Sequence, residues 1–220
     1  YGAAQFVGWY NGHPDYKDLN PILDNNTAVI IGNGNVAIDC ARVLAKNKSE
    51  MASSDITEYS SNTIINSPIK KIYIIGRRGP LDAKFTTVEI REMGELQECE
   101  SVLSEGTLSQ IPQTQDLDNL GKQYKILTSF PESNSLNTSS RKAKTIEFKF
   151  YAKPLEVLGD DKVNGIRLEI NRLNKKNNVI GTGETFELKA GLIITAIGYH
   201  GEKIDGIPFD EQSGKIINKE

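Results

Sequence analysis

A glycine-rich turn, Gly32-x-Gly34-x-x-Ala37, is the feature of the sequence best suited to bind a ligand. The β-branched run Thr27 to Ile31 precedes the turn, and apolar residues at helical spacing follow it. This order matches the fingerprint of dinucleotide-binding folds, in which N–H groups at a helix N-terminus and the helix dipole hold a pyrophosphate. The predicted phosphate cradle consists of Gly32, Asn33, Gly34, Asn35 and Val36. The alternative is a turn that only joins a strand to a helix.

Two adjacent arginines follow the next predicted strand, Ile69 to Ile75, within the segment Gly76-Arg77-Arg78-Gly79. A site for NAD would have an acidic residue near the end of this strand to bind the ribose 2'-hydroxyl, and the sequence has none there. Each guanidinium can instead form charge-assisted hydrogen bonds with a 2'-phosphate. The sequence therefore predicts NADP rather than NAD. The alternative is two solvent-facing arginines in a turn.

Composition excludes several classes of protein. With 220 residues the chain is long enough for one domain with a substantial core. Its 26 Lys and Arg against 29 Asp and Glu give a net charge of -3, which provides no basic field for nucleic acid. The most apolar stretch, Gly191 to Gly198, is far shorter than the roughly 20 residues that a membrane-spanning helix needs. We therefore expect neither a nucleic-acid partner nor a membrane span.

Cysteine and histidine are too few and too scattered for redox or metal chemistry. Cys40 and Cys99 lie far apart, unlike the CxxC spacing of a redox dithiol or a zinc site. His13 and His200 have no companions at ligand spacing. We predict no metal site, two cysteines packed as small apolar residues, and no catalytic residue in this chain.

The remaining elements complete an α/β pattern. A second helix could start near Asp55 to Tyr59 with Ser54 or Asp55 as its cap, and a third covers about Thr87 to Leu96. Ser101 to Arg141 is polar without a sustained period, which indicates a variable, partly mobile insertion.

Alternating strands are predicted after this insertion. Thr145 to Tyr151 and Gly165 to Leu173 alternate apolar and polar residues, which is typical of strands with one wet face. The loop Asn174 to Asn178 joins antiparallel strands, Glu184 to Leu188 could supply a third, and Gly191 to Gly198 indicates a strand buried on both faces. The predicted fold is a three-layer, Rossmann-like parallel sheet with helices, in which an antiparallel β-meander replaces one crossover helix.

Four segments strongly resemble adrenodoxin reductase and the related ferredoxin-NADP reductases. They are FVGWYNGHP (Phe6 to Pro14), AVIIGNGNVAIDCAR (Ala28 to Arg42), IIGRRGPLDAKFTTVEIREM (Ile74 to Met93) and TAIGY (Thr195 to Tyr199). The resemblance covers nearly the whole chain except the insertion. In this family an NADP domain is inserted into an FAD domain made from both chain ends, and the present sequence is similar to the inserted domain alone. Residues 1–20 and 200–220 are then expected to be stubs leading to a missing FAD domain, consistent with a first residue other than Met.

The resemblance implies roles for individual residues. Asn33, Gly34, Asn35 and Val36 match the pyrophosphate cradle, Arg77 and Arg78 match the residues that bind the 2'-phosphate, and Glu89 matches a further NADP contact. Asp39 and Glu92 match carboxylates near the nicotinamide. For these two the alternatives are a helix-face aspartate and a solvated glutamate, so neither is assigned as catalytic.

The resemblance also implies an electron-transfer function. The intact enzyme would pass electrons from NADPH through FAD to a ferredoxin- or adrenodoxin-type iron-sulfur protein, in a mitochondrion or a related organelle. Arg91 matches one docking position, and the other basic residues near the insertion are scattered: Lys122, Lys125, Arg141, Lys142 and Lys144. Without its FAD domain the chain should bind NADP and catalyse nothing.

Two alternatives remain open. One is another two-domain flavin oxidoreductase, of the glutamate synthase small-subunit type, against which the GRRGP segment argues. The absence of CxxC argues against a thioredoxin-reductase-like member. The other alternative is a noncatalytic nucleotide-binding module, which predicts that no flavin domain accompanies this one.

Overall fold

The computed structural model describes residues 1–110, 121–136, 142–198 and 201–217. Within these ranges the helices of four or more residues are α1 (Ala3–Tyr10), α2 (Asn35–Ala45), α3 (Lys48–Met51), α4 (Glu58–Ile65), α5 (Thr87–Glu95) and α6 (Lys122–Thr128). The strands are β1 (Thr27–Ile31), β2 (Lys71–Ile75), β3 (Cys99–Leu103), β4 (Lys144–Lys149), β5 (Ala152–Leu158), β6 (Gly165–Leu173), β7 (Val179–Lys189), β8 (Leu192–Thr195), β9 (Phe209–Asp210) and β10 (Lys215–Ile216).

A five-stranded parallel sheet forms the middle layer, in the order β3-β4-β2-β1-β8. Strand β1 lies between β2 and β8, with Ile31 opposite both Ile75 and Thr195. The carboxyl ends of β1, β2 and β8 therefore meet at one edge of the sheet. In open α/β sheets, ligands bind at this edge.

Helices cover one face of the sheet and supply most of the core. Their fully buried side chains belong to the apolar stripes of α1, α2, α4 and α5, and include Phe6, Ile38, Leu44, Ile64 and Ile90. Truncating one of the large aliphatic residues in such a core to alanine costs about 2–5 kcal/mol.

The antiparallel sheet β5-β6-β7 covers part of the other face. Ile166 and Leu168 of β6 pack in one cluster with Val29, Ile75 and Ile193 of the parallel sheet. Helices, parallel sheet and antiparallel meander thus form three layers. The predicted fold class is confirmed.

The prediction for Thr145 to Tyr151 was wrong in its location. This segment supplies β4, an internal strand of the parallel sheet between β2 and β3, rather than a half-wet strand of the meander. The alternation of the segment suggested an exposed face, but Glu147 on that face is buried. Its carboxylate accepts hydrogen bonds from Lys71 (2.6 Å) and Ser104 (2.6 Å). The first meander strand is β5, which the sequence pattern did not reveal.

The expectation of irregular structure in Ser101 to Arg141 was also wrong for its first residues. Ser101 is buried in the middle of β3, where its hydroxyl donates to the carbonyl of Met93 at 2.8 Å. Helix α6 lies in the same segment, and its Leu127 is buried in the core. Residues 111–120 and 137–141 of the predicted insertion lie outside the described residues, and its variability stays a prediction.

The helix predicted near Asp55 begins later, at Glu58, with Thr57 as its N-cap. The hydroxyl of Ser54 instead donates to the carbonyl of Met51 at 2.7 Å, which closes the turn after α3. Strands β1 and β6 match their predicted ranges and α5 ends one residue early. Other bounds differ: β2 begins two residues late, β7 begins at Val179 rather than Glu184, and β8 covers only Leu192–Thr195 of the predicted Gly191 to Gly198.

Residues 1–10 pack on the domain itself. Phe6 and Trp9 of α1 are buried in the main core, and the Tyr1 carbonyl accepts from the N–H of Thr195 at 2.9 Å. That residues 1–20 and 200–220 lead to an FAD domain stays a prediction. Among the described residues, no helix is both long and apolar enough to cross a membrane.

Candidate nucleotide-binding site

The glycine turn lies at the carboxyl end of β1 and opens toward solvent. Gly32 has φ +136°, a conformation that other residues rarely adopt, and a Cβ there would come within 2.2 Å of the Ala196 carbonyl oxygen. At Gly34, the N-cap of α2, an added Cβ would have no neighbouring atom within 4 Å. The turn thus leaves open space directly in front of the helix.

The start of α2 supplies unpaired donors to this space. Helix geometry gives the N–H groups of Asn35 and Val36 no partner within the helix, and the helix dipole adds partial positive charge. Ala37 is fully buried, as expected of the small residue where the helix packs on the sheet. This arrangement can bind a phosphate through backbone groups.

Two asparagines of the turn anchor the segment that leads into α5. Asn35 Oδ1 accepts the N–H of Thr86 at 2.8 Å, and the Asn33 carbonyl accepts the N–H of Lys84 at 2.7 Å. The sequence analysis assigned Asn33 and Asn35 only to the cradle and missed this second role. The hydrophobic period of the sequence could not reveal this role, because the bonds join distant segments: Asn35 and Thr86 are 51 residues apart.

The arginine pair lies beside the turn. The N–H of Gly32 donates to the Ile75 carbonyl at 2.9 Å, and Gly76 packs against the side chain of Asn33. Arg77 and Arg78 follow with exposed side chains. The structure therefore brings together, at neighbouring strand ends, the two groups that the sequence predicted for a pyrophosphate and a 2'-phosphate.

The backbone of the arginine loop is held by residues near the meander that sequence reasoning missed. The Arg77 carbonyl accepts from Asn171 Nδ2 at 2.7 Å, and the Arg78 carbonyl accepts from the N–H of Tyr151 at 3.2 Å. Tyr151 has φ +54°, a conformation that costs a non-glycine residue about 1–3 kcal/mol and is kept only where surrounding contacts impose it. Arg78 also forms an exposed ion pair with Asp82, at 3.3 Å.

Glu89 lies in the first turn of α5, close to the cradle. Its carboxylate accepts from the hydroxyl of Thr86 at 2.6 Å, and Thr86 is the residue whose N–H bonds to Asn35. A chain of two hydrogen bonds thus connects Glu89 to the glycine turn. Thr86 is the connecting residue that the sequence analysis did not identify.

Asp39 and Glu92 are joined through one arginine. Arg42 of α2 pairs with Asp39 at 2.8 Å and also with Glu92 of α5. Burial raises the pKa of Asp39 above its ordinary value of 3.8, Arg42 opposes the rise, and Glu89 adds to it. Asp39 and Glu92 are therefore neither an isolated helix-face aspartate nor a freely solvated glutamate; they belong to one charged cluster next to the candidate site.

The two cysteines are structural. Both are buried, and burial raises the pKa of each thiol to about 12, which keeps them protonated and unreactive. The described residues contain no group of three or more His, Cys, Asp or Glu side chains arranged to hold a metal ion. His200 lies outside the described residues.

Two of the scattered basic residues bind the protein's own backbone. Lys142 Nζ donates to the Leu96 carbonyl at 2.6 Å, and Lys144 Nζ donates to the Leu44 carbonyl at 2.8 Å. Both carbonyls lie at or near the end of a helix, where a cation is favourable. Lys122 and Arg91 have exposed side chains, and Arg141 lies outside the described residues.

The chain is similar to curated reductases over almost its full length. It is 37% identical over 224 residues to NADPH-ferredoxin reductase FprA of Mycobacterium tuberculosis, which covers 98% of this chain and 48% of that protein. It is 33% identical over 231 residues to the mitochondrial NADPH:adrenodoxin oxidoreductase of Arabidopsis thaliana, which covers 99% of this chain and 48% of that protein. No known family profile matches the chain.

The fold agrees with these similarities. A solved structure of M. tuberculosis FprA in complex with NADPH superposes with a TM-score of 0.87 at 36% identity, covering 99% of this chain and 49% of the other. The chain spans about half the length of the curated relatives it matches. By sequence and by fold, the chain is homologous to about half of an NADPH-ferredoxin reductase and of an NADPH:adrenodoxin oxidoreductase.

Proposed function

We propose that this chain binds NADP(H) across the carboxyl ends of β1 and β2. One observation carries the proposal: the glycine turn and the arginine pair are adjacent, joined by the hydrogen bond from Gly32 to the Ile75 carbonyl and by the packing of Asn33 on Gly76. A phosphate-binding helix terminus beside two exposed guanidinium groups suits a dinucleotide that carries an extra phosphate on its ribose.

The chain's own residues divide the work of binding. The N–H groups of Asn35 and Val36 would hold the pyrophosphate in the open space at Gly34, while Arg77 and Arg78 would bind the 2'-phosphate. Glu89 lies within the same hydrogen-bonded group as Asn35. NADPH, when bound, supplies a hydride, and the protein's part is to fix its position.

Calorimetric titration with NADP and NAD in parallel tests the nucleotide assignment. We expect NADP to bind at least about 30-fold tighter, roughly 2 kcal/mol, because a guanidinium-phosphate pair is lost with NAD. Arg77→Ala should remove most of this margin and leave NAD binding unchanged. Arg172→Ala, an exposed arginine of β6 outside the site, is the matched control. Equal affinities for the two nucleotides in the wild-type chain would contradict the assignment.

We further propose that the whole protein is a flavoprotein reductase that passes electrons from NADPH through FAD to an iron-sulfur protein. The names of the relatives support this, since they are an NADPH-ferredoxin reductase and an NADPH:adrenodoxin oxidoreductase. The chain alone should bind nucleotide without turnover, because it spans only about half of such a protein.

The full-length gene product offers the test of this activity. We expect a flavin absorption spectrum that NADPH bleaches under anaerobic conditions, and reduction of a ferredoxin but not of a glutamate synthase large subunit. A product without flavin would instead favour the noncatalytic nucleotide-binding module.

We propose that Arg91 takes part in docking the iron-sulfur protein. Arg91 matches a position that contacts the iron-sulfur protein in the family, and its exposed side chain suits such a role. Arg91→Glu in the full-length reductase should raise the KM for ferredoxin and leave the KM for NADPH unchanged.

The location of the protein is a separate proposal. Several relatives are named as mitochondrial and others are bacterial, and we propose that this protein works in a mitochondrion or a related organelle. If fractionation of the source cells finds the protein in another compartment, the proposed location is wrong.

A further inference from the structure

We infer that Asn171 and Tyr151, which belong to the meander and its junction with the parallel sheet, are positioning residues that set the arginine pair for recognition of a 2'-phosphate. The inference rests on the proposed NADP function and deepens it. Neither residue is part of the glycine turn or of the arginine segment.

Asn171 is bonded to the arginine loop although it is distant in sequence. The residue is 6% exposed, and its Nδ2 donates to the Arg77 carbonyl at 2.7 Å. The register of β6 against β7 shifts between Glu169 and Asn171, and at the same place the alternation of burial along β6 is interrupted, with Ile170 exposed and Asn171 buried. Asn171 is thus a buried polar residue of the meander whose side chain reaches the arginine loop.

Tyr151 holds the next two residues of the same loop. Its N–H donates to the Arg78 carbonyl at 3.2 Å, and its hydroxyl lies so close to Gly79 that a Cβ there would come within 2.2 Å of it. The N–H of Asn171 donates to the Tyr151 carbonyl at 2.7 Å, so the two residues support each other. The left-handed conformation of Tyr151 is part of this arrangement.

These contacts fix the backbone of Arg77 and Arg78 and leave the guanidinium groups exposed. A cation held in place before the ligand arrives binds a phosphate more tightly, because less motion is lost on binding. The glycine turn has its own anchors, from Asn33 to Lys84 and from Asn35 to Thr86. Loss of Asn171 should therefore weaken recognition of the 2'-phosphate and spare the phosphate site at α2.

Binding of two small probes separates these effects. Adenosine 2',5'-bisphosphate carries the extra phosphate and 5'-AMP lacks it, and neither requires a flavin domain. We expect Asn171→Ala to reduce the ratio of their affinities about five- to tenfold, the usual consequence of one lost hydrogen bond, with 5'-AMP affinity unchanged. An unchanged ratio in a folded variant would overturn the inference.

Thr182→Val is the matched control. Thr182 Oγ1 donates to the Ile170 carbonyl at 2.7 Å, one residue before Asn171, and accepts the N–H of Glu184 at 3.1 Å, so the variant removes a bond of the same kind and length, and one more, within the meander. We expect it to keep the wild-type ratio. If it lowers the ratio as much as Asn171→Ala does, the effect comes from general loosening of the meander and the inference fails.

A second variant covers the case in which alanine prevents folding. Asn171→Leu keeps about the size of the side chain, adds no charge and removes the amide donor, and we expect a similar fall in the affinity ratio. A folded Asn171→Leu with the wild-type ratio would overturn the inference. If the wild-type chain itself shows no preference for the bisphosphate, the proposed function fails instead, so the two failures are distinguishable.

Discussion

The side chain of Asn33, in the turn after β1, packs directly against the backbone of Gly76, the residue after β2. A Cβ added to Gly76 would come within 1.8 Å of Asn33 Nδ2. Among the described residues Asn33 Oδ1 is buried and has no hydrogen-bond partner, so packing rather than a hydrogen bond joins the two at this point. The contact joins the glycine turn, our candidate phosphate site, to the segment that carries the arginine pair.

Gly76→Ala should therefore damage both parts of the site. The added methyl group must displace Asn33, which we expect to lower the free energy of unfolding by about 1–3 kcal/mol, as overpacking does. Affinity for both 5'-AMP and adenosine 2',5'-bisphosphate should fall in a titration. Gly2→Ala is the control, since its Cβ would lie at an ordinary 3.5 Å from Gln5. Wild-type affinity in Gly76→Ala would show that the contact does not position the turn.

Asn35→Asp should separate stability from binding. The carboxylate keeps an acceptor for the N–H of Thr86 and adds negative charge at the N-terminus of α2, where it is favourable. We expect the melting temperature to be kept, while 5'-AMP affinity falls about tenfold because like charges now meet in the cradle.

Asn35→Ala is the comparison for this variant. It loses the bond to Thr86 and should lower the free energy of unfolding by about 1 kcal/mol with a smaller loss of 5'-AMP affinity. Unchanged binding in Asn35→Asp would mean that the phosphate does not lie at α2.

We expect Asp82 to compete with the ligand for Arg78. The two side chains pair at 3.3 Å, and a 2'-phosphate must replace this contact. Asp82→Asn should raise affinity for adenosine 2',5'-bisphosphate about two- to fivefold without changing 5'-AMP affinity, since exposed pairs contribute little and are readily given up. Asp24→Asn breaks a comparable exposed pair with Lys162, at 3.2 Å, and should change neither affinity. A fall in bisphosphate affinity in Asp82→Asn would mean that the pair positions Arg78 instead.

The buried carboxylate of Glu147 makes stability depend on pH. Burial by itself would raise its pKa, but hydrogen bonds from Lys71 and Ser104 outweigh burial and lower the pKa below the ordinary value of 4.5. The ionised form is therefore favoured in the folded state, and its stabilising contribution is present above pH 4.5 and lost as the pH falls through the lowered pKa.

Urea unfolding of wild type and Glu147→Gln checks this contribution. We expect the variant to be less stable near neutral pH and the difference to shrink on acidification from about pH 6 to about pH 3. Glu187→Gln removes one partner of an exposed pair with Arg167 and should change the free energy of unfolding by less than about 1 kcal/mol. A difference for Glu147→Gln that does not vary over this range would contradict the prediction.

Local sequence was sufficient for the parts of the site that lie on one element. The glycine turn, the start of α2 and the arginines after β2 follow from spacing and residue type over a few positions. The overall three-layer class followed from the order of elements.

Contacts between distant segments were not predictable in the same way. The alternation in Gly165 to Leu173 assigns Asn171 to the exposed face, but Asn171 is buried and bonds to the arginine loop, close to an irregularity in the pairing of β6 with β7. The charged residue Glu147 made Thr145 to Tyr151 look like a strand with one exposed face. In the structure Glu147 is buried, because it bonds to partners on β2 and after β3. Both errors come from tertiary pairing, which a local period does not encode.

A crystal structure of the chain with adenosine 2',5'-bisphosphate would show directly where each of the two phosphates binds. We expect the 5'-phosphate to accept hydrogen bonds from the N–H groups at the start of α2, and the 2'-phosphate to lie within hydrogen-bond distance of the guanidinium of Arg77 or Arg78. A bound nucleotide whose 2'-phosphate contacts neither arginine, or whose 5'-phosphate lies away from α2, would contradict this expectation.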